Sequence, residues 1–221
     1  MPGIDPTLLN DDPANVSTTI KLILLLTVLS LAPGILVLMT CFTRIVIVLS
    51  FVRTSLATQQ MPPTQVLISL ALFLTFFIMA PTFSEVNEQA LTPFLEGELT
   101  QEEAFDKAAA PMKDFMSKHT RQKDLELFLN YAQMERPETI EDIPLTALVP
   151  AFAISEIKTA FQIGFMVFVP FLVIDMAVAS VLMSMGMMML PPVMISLPFK
   201  ILLFVLVDGW YLVVKSLLAS Y

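Results

Sequence analysis

Cysteine, histidine and tryptophan occur once each in these 221 residues, as Cys41, His119 and Trp210. A lone cysteine excludes an intramolecular disulfide and says nothing about redox compartment. Cys41 and His119 are far apart in sequence, so no Cys/His zinc set can be assembled. The six glycines are scattered at positions 3, 34, 97, 164, 186 and 209, and none forms a phosphate-cradling loop. HExxH and GxSxG are absent as well. Charged residues make up only 14% of the chain. No basic patch exists to neutralise phosphates, which excludes nucleic acid as a partner. The first residues lack a basic start followed by a short apolar run, so they do not read as a signal peptide. Together these absences point away from an enzyme and away from any bound cofactor or metal.

What the chain has in abundance is apolar surface. Hydrophobic residues reach 56% and the mean hydropathy is +0.78, far above a soluble globule. The net charge of −8 is not spread evenly. Residues 84–147 hold 14 acids against 6 bases, whereas the remainder holds 6 of each. An acidic insert therefore divides two membrane-like blocks. The domain reading is a polar tail at 1–19, a hydrophobic hairpin at 20–83, the insert at 84–147 and a second hairpin at 148–221.

In the first block, residues 22–43 are uncharged, enough to cross roughly 30 Å of hydrocarbon. Pro33 and Gly34 are expected to bend this helix, and its apolar pattern continues to Val52. Met61, Pro62 and Pro63 make a turn, and Thr64–Phe83 is a second span. Arg44 and Arg53 near the link place that link in the cytoplasm and the insert outside. In the second block a third span falls between about Val149 and Met183, and a fourth runs from Val193 to about Leu218. Trp210, Tyr211 and Tyr221 suit a membrane–water boundary. Ala177, Ser180 and Ser184 form a small-residue face suited to close helix approach.

The insert reads as helices. Thr100 and Glu103 have capping-box spacing, and Pro111 is expected to end one helix and open the next. Met112, Phe115, Met116 and His119 fall on one helical stripe, and Leu125, Phe128, Leu129 and Ala132 on another. So little apolar content cannot build a private core. The stripes must pack on a neighbouring subunit or on the membrane helices. A loop over 136–144 follows.

One stretch, Met183–Pro192, reads MSMGMMMLPP. Pro191 and Pro192 cannot continue a helix, Leu190 is pushed out of the helical region, and Gly186 loosens the backbone. A hydrophobic helix thus ends in a loop containing Met185, Met187, Met188 and Met189. Methionine is unbranched and polarisable, and adapts to irregular surroundings. Three readings stay open from the residues: ordinary gap-filling, a thioether site for Cu(I), and a soft seal contributed by several subunits.

The ionisable residues of the apolar blocks are Glu156, Lys158, Asp175, Lys200, Asp208 and Lys215. Such groups are functional candidates by default. Glu156 and Lys158 are two apart and cannot pair on one helix, so each needs a partner from another helix or another chain. Ion pairs that set subunit register, a proton relay and an aspartyl-protease pair of Asp175 with Asp208 are the alternatives. A secondary transporter would also use such groups, but no internal repeat is evident.

The stretches PAFAISEIKTAFQIGF (Pro150–Phe165), PFLVIDMAVASVLMSMGMMMLPP (Pro170–Pro192) and LPFKILLFVLVDGW (Leu197–Trp210) closely resemble the FliP family of flagellar type III export-gate proteins, whose virulence counterparts are the SctR family. TCFTRIVIVLSFVRTSLATQQMPPTQVLISLALFLTFFIMAP (Thr40–Pro81) resembles it too. The resemblance implies an all-α membrane protein of about four long, bent hydrophobic helices arranged as hairpins, with a small helical polar insert. It implies several copies assembling with FliQ and FliR, and with FlhB as a further partner, around a channel for unfolded export substrates. The location implied is the bacterial inner membrane within the flagellar basal body, with the insert on the periplasmic side. The family's methionine gate falls on Met187, Met188 and Met189. Glu156, Lys158, Phe115 and Phe128 are the expected inter-subunit contacts, and Gly186, Pro191 and Pro192 the helix break.

Overall fold

The structure is a computed structural model that describes residues 23, 26, 27, 30, 33–58, 60–134, 137, 139–187 and 189–221. The expected tail at 1–19 and the gate residue Met188 lie outside the described residues, as do 136 and 138 of the loop. Two compact units divide the chain, residues 1–37 and 38–221. In the first, the described residues are helical.

The second unit is built from helices, with no strand among the described residues. Its elements are α1 (Phe42–Ser55), α2 (Thr64–Val86), α3 (Thr92–Leu95), α4 (Gln101–His119), α5 (Gln122–Tyr131), α6 (Leu145–Ser184), α7 (Pro192–Leu206) and α8 (Gly209–Leu218). The all-helical expectation holds. Two helical runs, Thr64–Leu95 and Leu145–Ser184, are long and apolar enough to cross a membrane, and up to four if each bent pair counts as one span.

Several boundaries differ from the sequence expectation, each for a local reason. Pro33 and Gly34 are helical, and the interruption falls at Thr40 and Cys41. There the Thr40 hydroxyl accepts the N–H of Phe42 at 3.3 Å, competing with the helical ladder. The second span does not stop at Phe83. It runs through a π-helical turn at Asn87–Leu91 into α3. This wide turn sits directly ahead of Pro93, whose ring would meet the Gln89 carbonyl in a regular α-turn. Pro111 breaks nothing either, since α4 passes through it. The proline is itself buried, and packing of the α4 stripe offsets the one backbone bond it removes.

α1 is the centre of the core. Cys41, Ile45, Val48, Leu49 and Val52 are fully buried at i, i+3, i+4 spacing. They face the first half of α6, where Ala151, Ser155, Ala160 and Gly164 are small enough for close approach. A Cβ on Gly164 would sit 2.6 Å from the Phe51 ring. Both insert stripes pack inward. Phe115 and Met116 belong to the core cluster, with Met112 and Leu125 against it, and Leu129 is buried as well. A polar tie fixes α5 to α6: the Arg121 N–H donates to the Ser155 hydroxyl at 3.0 Å, and that hydroxyl donates to Asp124 at 2.6 Å. The Thr100–Glu103 capping box forms as expected, with the Thr100 N–H donating to the Glu103 carboxylate at 2.9 Å.

α6 has 40 residues, about 60 Å at 1.5 Å per residue. Its first half is clad by α1, α4 and α5. Its second half exposes Met166, Val173, Met176, Val181 and Met183. The small residues Ala177, Ser180 and Ser184 are exposed on this same bare half.

Candidate functional site

The methionine loop is the tip of a hairpin formed by α6 and α7. α6 ends in a Schellman arrangement: the Met187 N–H donates to the Leu182 carbonyl at 3.0 Å and the Gly186 N–H to the Met183 carbonyl at 3.1 Å. Gly186 has φ +75°, the left-handed conformation that this cap requires and that a side chain would strain. Pro191 and Pro192 then set the start of α7, with Pro192 in its first turn. Between these two stops the chain displays sulfur. Met183, Met185, Met187 and Met189 are all exposed, and Met189 is 99% so.

Below the tip, a partly buried ion pair joins the two arms. The Lys200 ammonium on α7 donates to Asp175 on α6 at 2.6 Å, and the Ser196 hydroxyl donates to the other Asp175 oxygen. Lys200 and Ser196 are buried. Asp175 is therefore committed to a cation rather than to Asp208. Asp208 lies at the break between α7 and α8, where its φ of 51° and a 62° bend part the two helices.

A second polar cluster holds the base of the molecule. Glu156 is fully buried, and its carboxylate takes two contacts from Arg44, one of them Nε to Oε2 at 3.0 Å. The Tyr221 hydroxyl donates to the same carboxylate. Arg44 also donates to the Ser220 carbonyl at 2.9 Å, and its guanidinium lies 3.9 Å from the centroid of the Tyr221 ring. His119 completes the wall, 4.9 Å from both Phe115 and Tyr221 between ring centroids. Burial, then the Arg44 and Lys118 charges, push the His119 pKa down to about 4.

This cluster places four singled-out residues in contacts within the chain. Glu156, expected between subunits, finds its partners in another helix of its own chain. Phe115, also expected between copies, is buried against Phe152 and Tyr221 of the same chain. Arg44, counted as a charge of the cytoplasmic link, is 3% exposed, which leaves Arg53 as the charge in that link. Tyr221, expected at a membrane boundary, is half-buried and donates its hydroxyl to the buried Glu156 carboxylate. Lys158 is exposed and Phe128 half-buried, so both stay accessible to a neighbour. Sequence reasoning missed the cluster because its members stand 112 and 65 positions apart. The one available signal was that a buried Glu156 demands a cation.

Among the described residues, no group of three His, Cys, Asp or Glu side chains converges as a metal site would require. The FliP family model matches residues 25–217. The chain is 77% identical to the flagellar biosynthetic protein FliP of Bacillus subtilis (strain 168) over 212 residues, 96% of each chain. To the FliP of Aquifex aeolicus (strain VF5) it is 50% identical over 220 residues, 99% of this chain and 92% of the relative. A FliP of Caulobacter vibrioides is 54% identical over 202 residues, 91% of this chain and 76% of the relative. A match of this extent, on a chain with the helix–methionine-loop–helix tip just described, makes it a member of the FliP family.

Proposed function

We propose that this protein is a non-enzymatic wall subunit of a flagellar protein-export channel, and that its methionine loops, gathered from several copies, seal the channel at rest. The observation that carries this reading is the pairing of a sulfur-rich exposed tip with the bare upper half of the α6–α7 hairpin. Apolar surface of this extent demands cover by lipid or by other subunits. Side-by-side hairpins would supply that cover and bring their tips to a common axis. Flexible thioethers there would close on one another, yet deform around an unfolded chain in transit.

In this reading the two hydrophobic hairpins anchor the protein in the bacterial inner membrane at the flagellar basal body, and the acidic insert faces the periplasm. FliQ and FliR are further subunits of the channel and FlhB a neighbour of it. Phe128 and Lys158 contribute to contacts between copies. Ion-coupled transport through intramembrane carboxylates is the weaker reading, because Glu156 and Asp175 each already face a cation within the chain.

The test is replacement of Met187, Met188 and Met189 with alanine. Cells carrying the variant should assemble the complex and leak small solutes. An assembled complex with an unchanged barrier would overturn the seal. Retention of Cu(I) by the purified complex after dialysis, lost in the same variant, would favour a metal site instead.

A further inference from the structure

The fold sorts its sulfur atoms by access to water. Met79 and Met116 are fully buried. At the tip of the α6–α7 hairpin the order reverses, with Met189 99% exposed, Met185 62% and Met187 42%. Cys41 is fully buried, so the thiol that an oxidant would otherwise prefer is out of reach. The accessible reducing sulfur is therefore thioether sulfur, and five of the ten residues from Met183 to Pro192 carry it.

The tip also offers little to a newly created polar group. The N–H groups of Gly186 and Met187 are engaged in the cap of α6. The Ser184 hydroxyl donates to the Val181 carbonyl at 2.7 Å. Pro191 and Pro192 have no N–H at all. An oxygen placed on a methionine here must take its hydrogen bonds from water.

We propose that this tip is a site of oxidation by hydroperoxides, hydrogen peroxide being the simplest, and that methionine sulfoxide formed there loosens the seal. A sulfur lone pair attacks one peroxide oxygen, and the S–O bond forms as the O–O bond breaks. The sulfur gives up two electrons, and the departing hydroxide takes the remaining proton, so that sulfoxide and water are the products. The thioether, flexible and apolar, becomes polar and chiral. Tips that excluded water as thioethers then hold it. Met189 should react first. Met166 and Met176, exposed on the bare half of α6, are covered by lipid or neighbours in the channel reading. Met61, 72% exposed in the link between α1 and α2, reacts without touching the seal. This inference rests on the seal reading above and adds a means of regulating it.

The test uses the assembled complex in vesicles of saturated phosphatidylcholine that hold a small dye. Hydrogen peroxide should add the mass of one or more oxygen atoms to the peptide spanning Met185–Met189, leave Met79 and Met116 unchanged, and raise dye release several-fold. Release should rise in step with oxygen on the tip, not with oxygen on Met61. Met187→Gln with Met189→Gln, which sets an amide oxygen near where a sulfoxide oxygen would stand, should raise release without peroxide. In a chain with Met185→Leu, Met187→Leu, Met188→Leu and Met189→Leu, peroxide should leave the leak unchanged, whatever its resting level. The full peroxide-driven rise in that variant would place the leak outside the tip and overturn the proposal. A tip that stays unoxidised while Met61 reacts would overturn it too. So would an oxidised wild-type tip with unchanged release, and here the alanine variant separates the two readings. If the alanine variant leaks, only the oxidation step fails; if it is tight as well, the seal fails with it.

Discussion

Arg44 on α1 and Glu156 on α6 stand 112 positions apart and share a two-point ion pair from which water is excluded. Removing one member of a buried pair leaves an uncompensated charge, at a cost of about 3–5 kcal/mol. Glu156→Ala or Arg44→Ala should therefore lower the yield and thermal stability of the protein itself, before any question of assembly. The double variant should be less damaging than the two single effects added together. Thermal unfolding in detergent checks both statements, and strict additivity would contradict the pairing.

The Gly164–Phe51 contact makes a second prediction. The clash that a Cβ would create involves the Cγ and Cβ atoms of Phe51, not the far end of its ring. Gly164→Ala should separate α1 from α6 and cost about 1–3 kcal/mol. Phe51→Ala in the same chain should recover part of the loss, which a pair of unfolding curves would reveal.

The hairpin makes a third. Asp175→Asn strands the buried Lys200 ammonium, whereas Asp175→Asn with Lys200→Met removes both charges. The single variant should be less stable than the double one, by an amount on the order of 1–4 kcal/mol. Equal stability would show that the pair does not hold the arms together.

His119 gives a pH dependence. Its pKa in the folded protein is lowered to about 4 from 6.5, so the unfolded chain takes up a proton that the folded chain refuses. Its contribution to stability is thus intact above pH 6.5 and is lost as pH falls from 6.5 towards 4. The ring is only half-buried, which softens the effect. Thermal scans of the wild type against His119→Phe across this window should diverge on the acid side and run parallel above pH 7.

How far the sequence revealed this architecture varied with the range of the interaction. The capping box at Thr100, the helix stop at Gly186–Pro192 and the two insert stripes are local patterns of caps, prolines and helical periodicity, and all were readable. Pro111 misled, because the rule that proline ends a helix takes no account of a buried face that holds the helix together. The boundary at Phe83 misled for a related reason. Hydropathy falls there, but a helix can continue into polar sequence, and a π turn carries it past Pro93. Arg44 and Tyr221 were assigned to membrane edges on residue type alone. Their placement depends on the fold bringing residue 44 beside residues 156 and 221, which no periodicity encodes. In the candidate site, the loop and its exposed methionines were legible, whereas the Asp175–Lys200 lock beneath it was visible only as two unexplained charges.

The half-clad state of α6 has a consequence for how the protein must be made. Its bare half is about 30 Å long, close to the thickness of the hydrocarbon layer, so lipid shelters a lone copy only while that half stays within the membrane. A newly synthesised copy that leaves the bilayer without companions has apolar flanks in water, where aggregation or degradation claims it. Supply of the other subunits thereby sets how much of this chain survives, and an unpaired surplus should be short-lived in the cell.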